Sequence, residues 1–171
     1  MGAINYGTSD YITMGIEPIS AYDLEQDRDF MRELQAEVDE YGGTLDYAMR
    51  DYINACEEQS WRDTKDIFEK YNFHFFTVKM EPGYYDGFYL DIKFSEYIFD
   101  SYADKRAAQK EVTQIGNFLR ECAGIGLVQC FPGWGTSYKS YDETMAAIGK
   151  AVKSMRKEVA KAPTWATYKA A

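Results

Sequence analysis

Three stretches of the chain hold the residue types from which a functional site is built. Asn5-Tyr6-Gly7-Thr8-Ser9-Asp10-Tyr11 concentrates hydroxyl, amide and carboxylate groups. Such a run lines a polar pocket or forms a side-chain-to-backbone turn leading into a strand. Tyr84-Tyr85-Asp86 lies between Pro82-Gly83 and Gly87, where tyrosines offer large contact area at low entropic cost. Gly133-Trp134-Gly135-Thr136-Ser137-Tyr138-Lys139-Ser140 has the first glycine and the Lys-Ser ending of a phosphate-binding loop. Tyr138, however, stands where a glycine would let backbone N–H groups wrap a phosphate. The stretch therefore reads as a strand ending in a turn, with Trp134 over the edge of the core.

Catalytic chemistry has little material. One histidine, His74, and three scattered cysteines, Cys56, Cys122 and Cys130, give no CxxC pair and no HExxH motif, so no metal centre and no cofactor is expected. His74 alternates with Phe76 in a strand-like segment and reads as a core or rim histidine. A thiol–imidazole pair using Cys122 or Cys130 stays open, because such pairs meet in space and not in sequence. The many carboxylates make any single pair uninformative. The chain is not expected to be an enzyme.

Charge is the stronger signal. The net charge is −9. Residues 1–104 carry 23 acids and 8 bases, and residues 105–171 carry 5 acids and 11 bases. Between Glu17 and Glu69 there are 16 acids and 5 bases; Asp23, Asp27, Glu37, Glu40, Asp46, Asp51, Glu57 and Glu58 are the candidate acidic surface. An acidic face repels nucleic acid and favours basic partners. The basic stretches around Lys105–Lys110 and Lys150–Lys161 lack the interleaved aromatics of a single-strand binder, so direct nucleic-acid binding is not expected.

The elements that position these groups follow from period. Ile12, Met14 and Ile16 alternate, predicting a first strand. Three helices follow: Ser20–Tyr41 with Phe30, Leu34, Val38 and Tyr41 in register, one capped by Thr44 with Leu45, Met49, Tyr52 and Cys56 on one side, and one capped by Ser60 with Trp61, Thr64, Phe68 and Tyr71. Residues 73–80 and 88–94 alternate as a hairpin around 82–87. A helix over about 102–123, a short strand over 127–131 and a helix over 142–160 complete the order, each helix with an apolar stripe. The expected fold is α+β: an antiparallel sheet of about four strands packed with helices, one domain over 1–171, with 20–71 an acidic helical insertion after the first strand and 163–171 a loose tail except where Trp165 docks. No apolar run reaches the roughly 18 residues of a membrane span, so no membrane partner is expected.

The N-terminal run through Thr13, Pro82-Gly83-Tyr84-Tyr85-Asp86-Gly87-Phe88 and Gln129-Cys130-Phe131-Pro132-Gly133-Trp134 resemble segments of a family of small acidic proteins carried by phages and mobile elements of gut-dwelling Gram-positive bacteria. The likeness spans nearly the whole chain. The resemblance implies a setting, the host bacterial cytoplasm, and an activity common there: inhibition of host nucleic-acid defence, as by anti-CRISPR proteins against Cas9-type nucleases and by DNA-mimicking anti-restriction proteins. It assigns no residue a role.

Two functions of different class result. In the first, the acidic helices of 20–71 bind a host defence protein as a phosphate-backbone mimic. In the second, the N-terminal run, Tyr84, Tyr85 and Trp134 converge on a pocket beside the sheet that sequesters a nucleotide-like ligand. A phage accessory protein with another partner, or a homo-oligomer, remains a third outcome.

Overall fold

The computed structural model describes residues 12–82, 88–94, 98–131 and 137–170. The chain runs β1 (Met14–Gly15), α1 (Ala21–Gln26), α2 (Arg28–Tyr41), α3 (Leu45–Glu69), β2 (Phe76–Pro82), β3 (Phe88–Phe94), α4 (Tyr102–Gly124), β4 (Val128–Phe131), β5 (Ser137–Tyr138), α5 (Tyr141–Lys161) and α6 (Trp165–Ala170). The class is α+β. The sheet has the order β2-β3-β1-β4-β5, and every pairing in it is antiparallel.

The long helices begin where side chains satisfy their first backbone donors. Ser101 caps α4 through the Asp104 N–H. Ser140 forms a capping box with Glu143 at the start of α5. On α4 the stripe Ala108, Val112, Ile115, Leu119 and Cys122 is fully buried; Ile148, Met155 and Val159 of α5 face it. Each such aliphatic or aromatic side chain contributes about 1.5–3 kcal/mol on burial. Gly116 lets the helices approach, since a Cβ there would stand 2.9 Å from the Val152 side chain. Lys105 Nζ donates to the carbonyls of Ala160 and Ala162 at 2.7 Å, and Arg156 donates to Thr113 Oγ1 and to the carbonyl of Gln109. These two bases thus stitch α4 to α5.

Several expectations need correction. Ser20–Tyr41 is two helices, because Asp27 adopts an extended conformation and its carboxylate accepts the N–H groups of Asp29 and Phe30 at 3.1 Å. The helices expected from Thr44 and Ser60 are one: Ser60 turns its hydroxyl back onto the Cys56 carbonyl at 3.1 Å, as a serine inside a helix does, and caps nothing. The sheet has a fifth, two-residue strand, β5. The strand expected from Phe73 begins at Phe76, leaving His74 exposed ahead of it.

The tail is also tied down. Phe99 N–H donates to the Pro163 carbonyl and Trp165 N–H to the Phe99 carbonyl, both at 3.0 Å, and α6 follows. Phe99 is fully buried, so this bridge holds the C-terminal segment to the core.

Behind the turn that precedes β2 lies a buried carboxylate. Glu111 of α4 is 4% exposed and accepts the backbone N–H groups of His74 and Phe75. Burial pushes its carboxyl above the usual range, against the opposing pull of those N–H donors. Beside it Phe68, Tyr71, Phe73 and Phe118 pack edge to face and stacked, joining the end of α3 to α4.

Candidate functional site

Helices α1, α2 and α3 form an arm whose apolar seam is thin over α1, α2 and the first half of α3. Leu34 and Met49 are the buried hydrophobics of that part, Phe30 packs on Tyr52 with ring centroids 4.8 Å apart, and α1 buries no residue. Leu24, Met31, Val38, Leu45 and Ile53 are half-buried along the seam, and most of the arm's polar side chains face solvent. Asp23, Asp27, Glu37, Glu40, Asp46, Asp51 and Glu58 are exposed, and Glu57 is half-buried.

The acids are only in part placed for helix stability: Asp27 caps α2, and Asp23, Asp29 and Asp46 stand in first turns in agreement with the dipole. Neither α2 nor α3 has a base in its last turn, although α2 ends with Glu37, Asp39 and Glu40 and α3 with Asp66 and Glu69. Negative charge at a helix C-terminus opposes the macrodipole, at a cost of about 0.3–1 kcal/mol each at low ionic strength. Two ion pairs form within the arm, Arg32–Asp29 at 2.8 Å and Arg62–Glu58 at 3.5 Å, all four side chains being two-thirds or more exposed. Neither draws a base from the rest of the molecule, and exposed pairs of this kind contribute little.

Between the acids stand aromatic side chains with no place in the core. Tyr22, Tyr41 and Tyr47 are 69, 77 and 68% exposed. The helical spacing put Tyr41 in register with Phe30, Leu34 and Val38; it lies beyond the end of the seam, where no element covers it. Tyr52 and Trp61 likewise sit at the edge of the expected stripe, 42 and 39% exposed. Periodicity shows that a residue shares a face with core positions, but not how far along the helix the core extends.

The arm also contains a cleft of about 520 Å³ between residues 18–21, α1 and α3. Buried Met49 and half-buried Ile19 and Ile53 line its inner side, while exposed Glu25, Asp46 and Arg50 stand at its mouth.

The other candidates fare differently. Asn5, Tyr6, Thr8, Ser9, Asp10, Tyr11, Tyr84, Tyr85, Asp86, Trp134 and Thr136 lie outside the described residues. Tyr138 belongs to β5, paired with Cys130, and burial pushes its phenol up, with Cys130 and Glu17 adding to the shift. The Lys-Ser ending of the loop-like stretch is engaged in the fold: Lys139 N–H donates to the Gln129 carbonyl, and the Ser140 side chain caps α5 through the Glu143 N–H.

Strand register places the surroundings of the remaining candidates. Met14 pairs with Leu90 and Gln129, and Gly15 with Tyr89 and Val128. Phe88 therefore lies at the Gly15 end of the sheet centre and Phe131 at the Ile12 end. Along the strand direction these two strand residues are about 13 Å apart at strand rise.

Nucleophilic chemistry at the buried thiols is disfavoured. Burial pushes Cys122 up to about 12 and Cys130 up to about 11, which keeps both as thiols at neutral pH. Among the described residues no group of three or more His, Cys, Asp or Glu is placed to hold a metal ion, and no helix is long and apolar enough to cross a membrane.

No family model, curated protein or solved structure matches the chain. The arm's own charge and exposure must therefore carry the functional reading.

Proposed function

We propose that this chain is a non-enzymatic inhibitor that binds a basic, nucleic-acid-handling protein through its acidic arm, the carboxylates of α1–α3 standing in for a phosphate backbone. The observation that carries this reading is the row of exposed acids Glu37, Asp39 and Glu40 at the C-terminal end of α2, set against the helix dipole beside exposed Tyr41. Charge that lowers the stability of its own helix is accounted for by something outside the helix. The exposed tyrosines add the contact area that charge alone lacks. In the setting implied by the resemblance, the target is a host defence protein such as a Cas9-type nuclease or a restriction enzyme.

The test is inhibition of DNA cleavage by a panel of such nucleases at about 50 and about 200 mM salt. The expected result is inhibition that weakens steeply with salt and is relieved by excess DNA competing for the same basic groove. Full cleavage at both salt concentrations across the panel overturns the reading.

A further inference from the structure

The arm's cleft joins two features that rarely coincide on a solvated helix face. Its volume, about 520 Å³, falls within the roughly 300–1,000 Å³ of small-ligand sites. Its inner side is apolar, formed by Ile19, Met49 and Ile53. At its mouth the carboxylates of Glu25 and Asp46 have, among the described residues, no hydrogen bond or ion pair. Arg50 shares that mouth and is outnumbered by Glu25 and Asp46.

An apolar wall ending in unneutralised carboxylates is complementary to an alkyl stem ending in a cation. Lysine and arginine side chains have this form, burying their methylenes along apolar surface while the charged head stays at the water boundary. A metal ion would use the carboxylates and leave the apolar wall idle, and a small polyamine, cationic at both ends of its methylene chain, would press one ammonium against that wall. A purely apolar peptide would bury the carboxylates without partners, at a cost that charged groups do not tolerate.

We propose that this cleft seats one lysine or arginine side chain of the basic partner, its stem against Ile19, Met49 and Ile53 and its cation between Glu25 and Asp46. The inference rests on the acidic-arm reading and gives it a point of anchorage. The remaining acids then steer the approach, and the cleft supplies the local contact.

The experiment titrates the full chain into fluorescein-labelled hexa-arginine amide and reads anisotropy at about 150 mM salt. The double variant Glu25→Gln/Asp46→Asn and the control Glu37→Gln/Glu40→Gln remove the same charge from the arm. Expected is about tenfold greater loss of affinity for the cleft double than for the control. Ile53→Ala, which leaves charge untouched, weakens binding about threefold through lost stem contact. Equal losses from the two doubles, or unchanged affinity in Ile53→Ala, overturn the cleft and leave the acidic arm standing. Absence of salt-dependent binding by the unaltered chain overturns both.

Discussion

The body of sheet, α4 and α5 and the acidic arm differ most at the C-terminal ends of α5 and α2. In α5, Asp142 and Glu143 open the helix and Lys161 closes it, in agreement with the dipole. Lys105 and Arg156 spend their donors on neighbouring helix backbone and a threonine. In the arm, acids crowd the C-terminal turns of α2 and α3, and the ion pairs are local and exposed. The apolar contents differ in parallel: twelve large side chains in the body are less than 2% exposed, whereas the arm over α1, α2 and the first half of α3 relies on Leu34, Met49 and the Phe30–Tyr52 contact. Charge at the end of α5 serves the fold, and that at the end of α2 does not.

The largest effect that sharpens this contrast comes from the body. Phe118 is fully buried and touches three aromatic rings, so Phe118→Ala should cost about 3–5 kcal/mol of global stability by urea denaturation. Leu34→Ala should cost about 2–3 kcal/mol locally, raising hydrogen exchange across α1, α2 and the start of α3 while α4 and α5 keep their protection. Equal loss of protection in both regions would break the comparison.

Glu111 tests the body's one buried carboxylate. Glu111→Ala leaves the His74 and Phe75 N–H groups without their acceptor and should cost about 1–3 kcal/mol. The pH signs are separate. Glu111 binds its proton more tightly folded than unfolded, so its contribution is present at low pH and is lost as pH rises through the folded value. Glu111→Gln should flatten that slope in thermal melts.

Tyr71 is next. Burial, with the hydrogen bond to Glu121 at 2.7 Å adding to it, pushes the phenol up to about 12. Its stabilising contribution is complete below the ordinary tyrosine value of 10.0 and is lost as pH rises from there through about 12. Tyr71→Phe should remove that alkaline component from the melting profile.

The smallest effect goes to the centre of the comparison. Glu40→Lys puts a base in the last turn of α2 and should stabilise the arm by about 0.3–1 kcal/mol, while weakening whatever binding the acidic surface performs. A variant that gains stability and keeps full inhibitory activity would separate the acids from function.

Much of the fold was legible in sequence because its signals are local. The stripes of α4 and α5, the Ser20 and Thr44 caps, the alternation in β3 and the charge imbalance all follow from residue type and spacing. The arm was legible as acid-rich helix and misread in its joints. Asp27 is one more acid in the charge pattern until its backbone turns extended, and Ser60 resembles a cap until its hydroxyl finds the Cys56 carbonyl. The cleft has no sequence signature, since Ile19 and Ile53 come together only when 18–21 folds back along α3.

The sequence by itself determined the two periodicities, the starts of α3, α4 and α5 and the partition of charge, because each depends on neighbours within a turn or two of the chain. The tertiary structure decided which tyrosines stand clear of the core, that Glu111 is buried against the turn before β2, that the tail is fastened at Phe99, and that an apolar cleft opens among the acids. Those outcomes depend on what lies opposite a residue, and that is set by contacts between segments far apart in the chain.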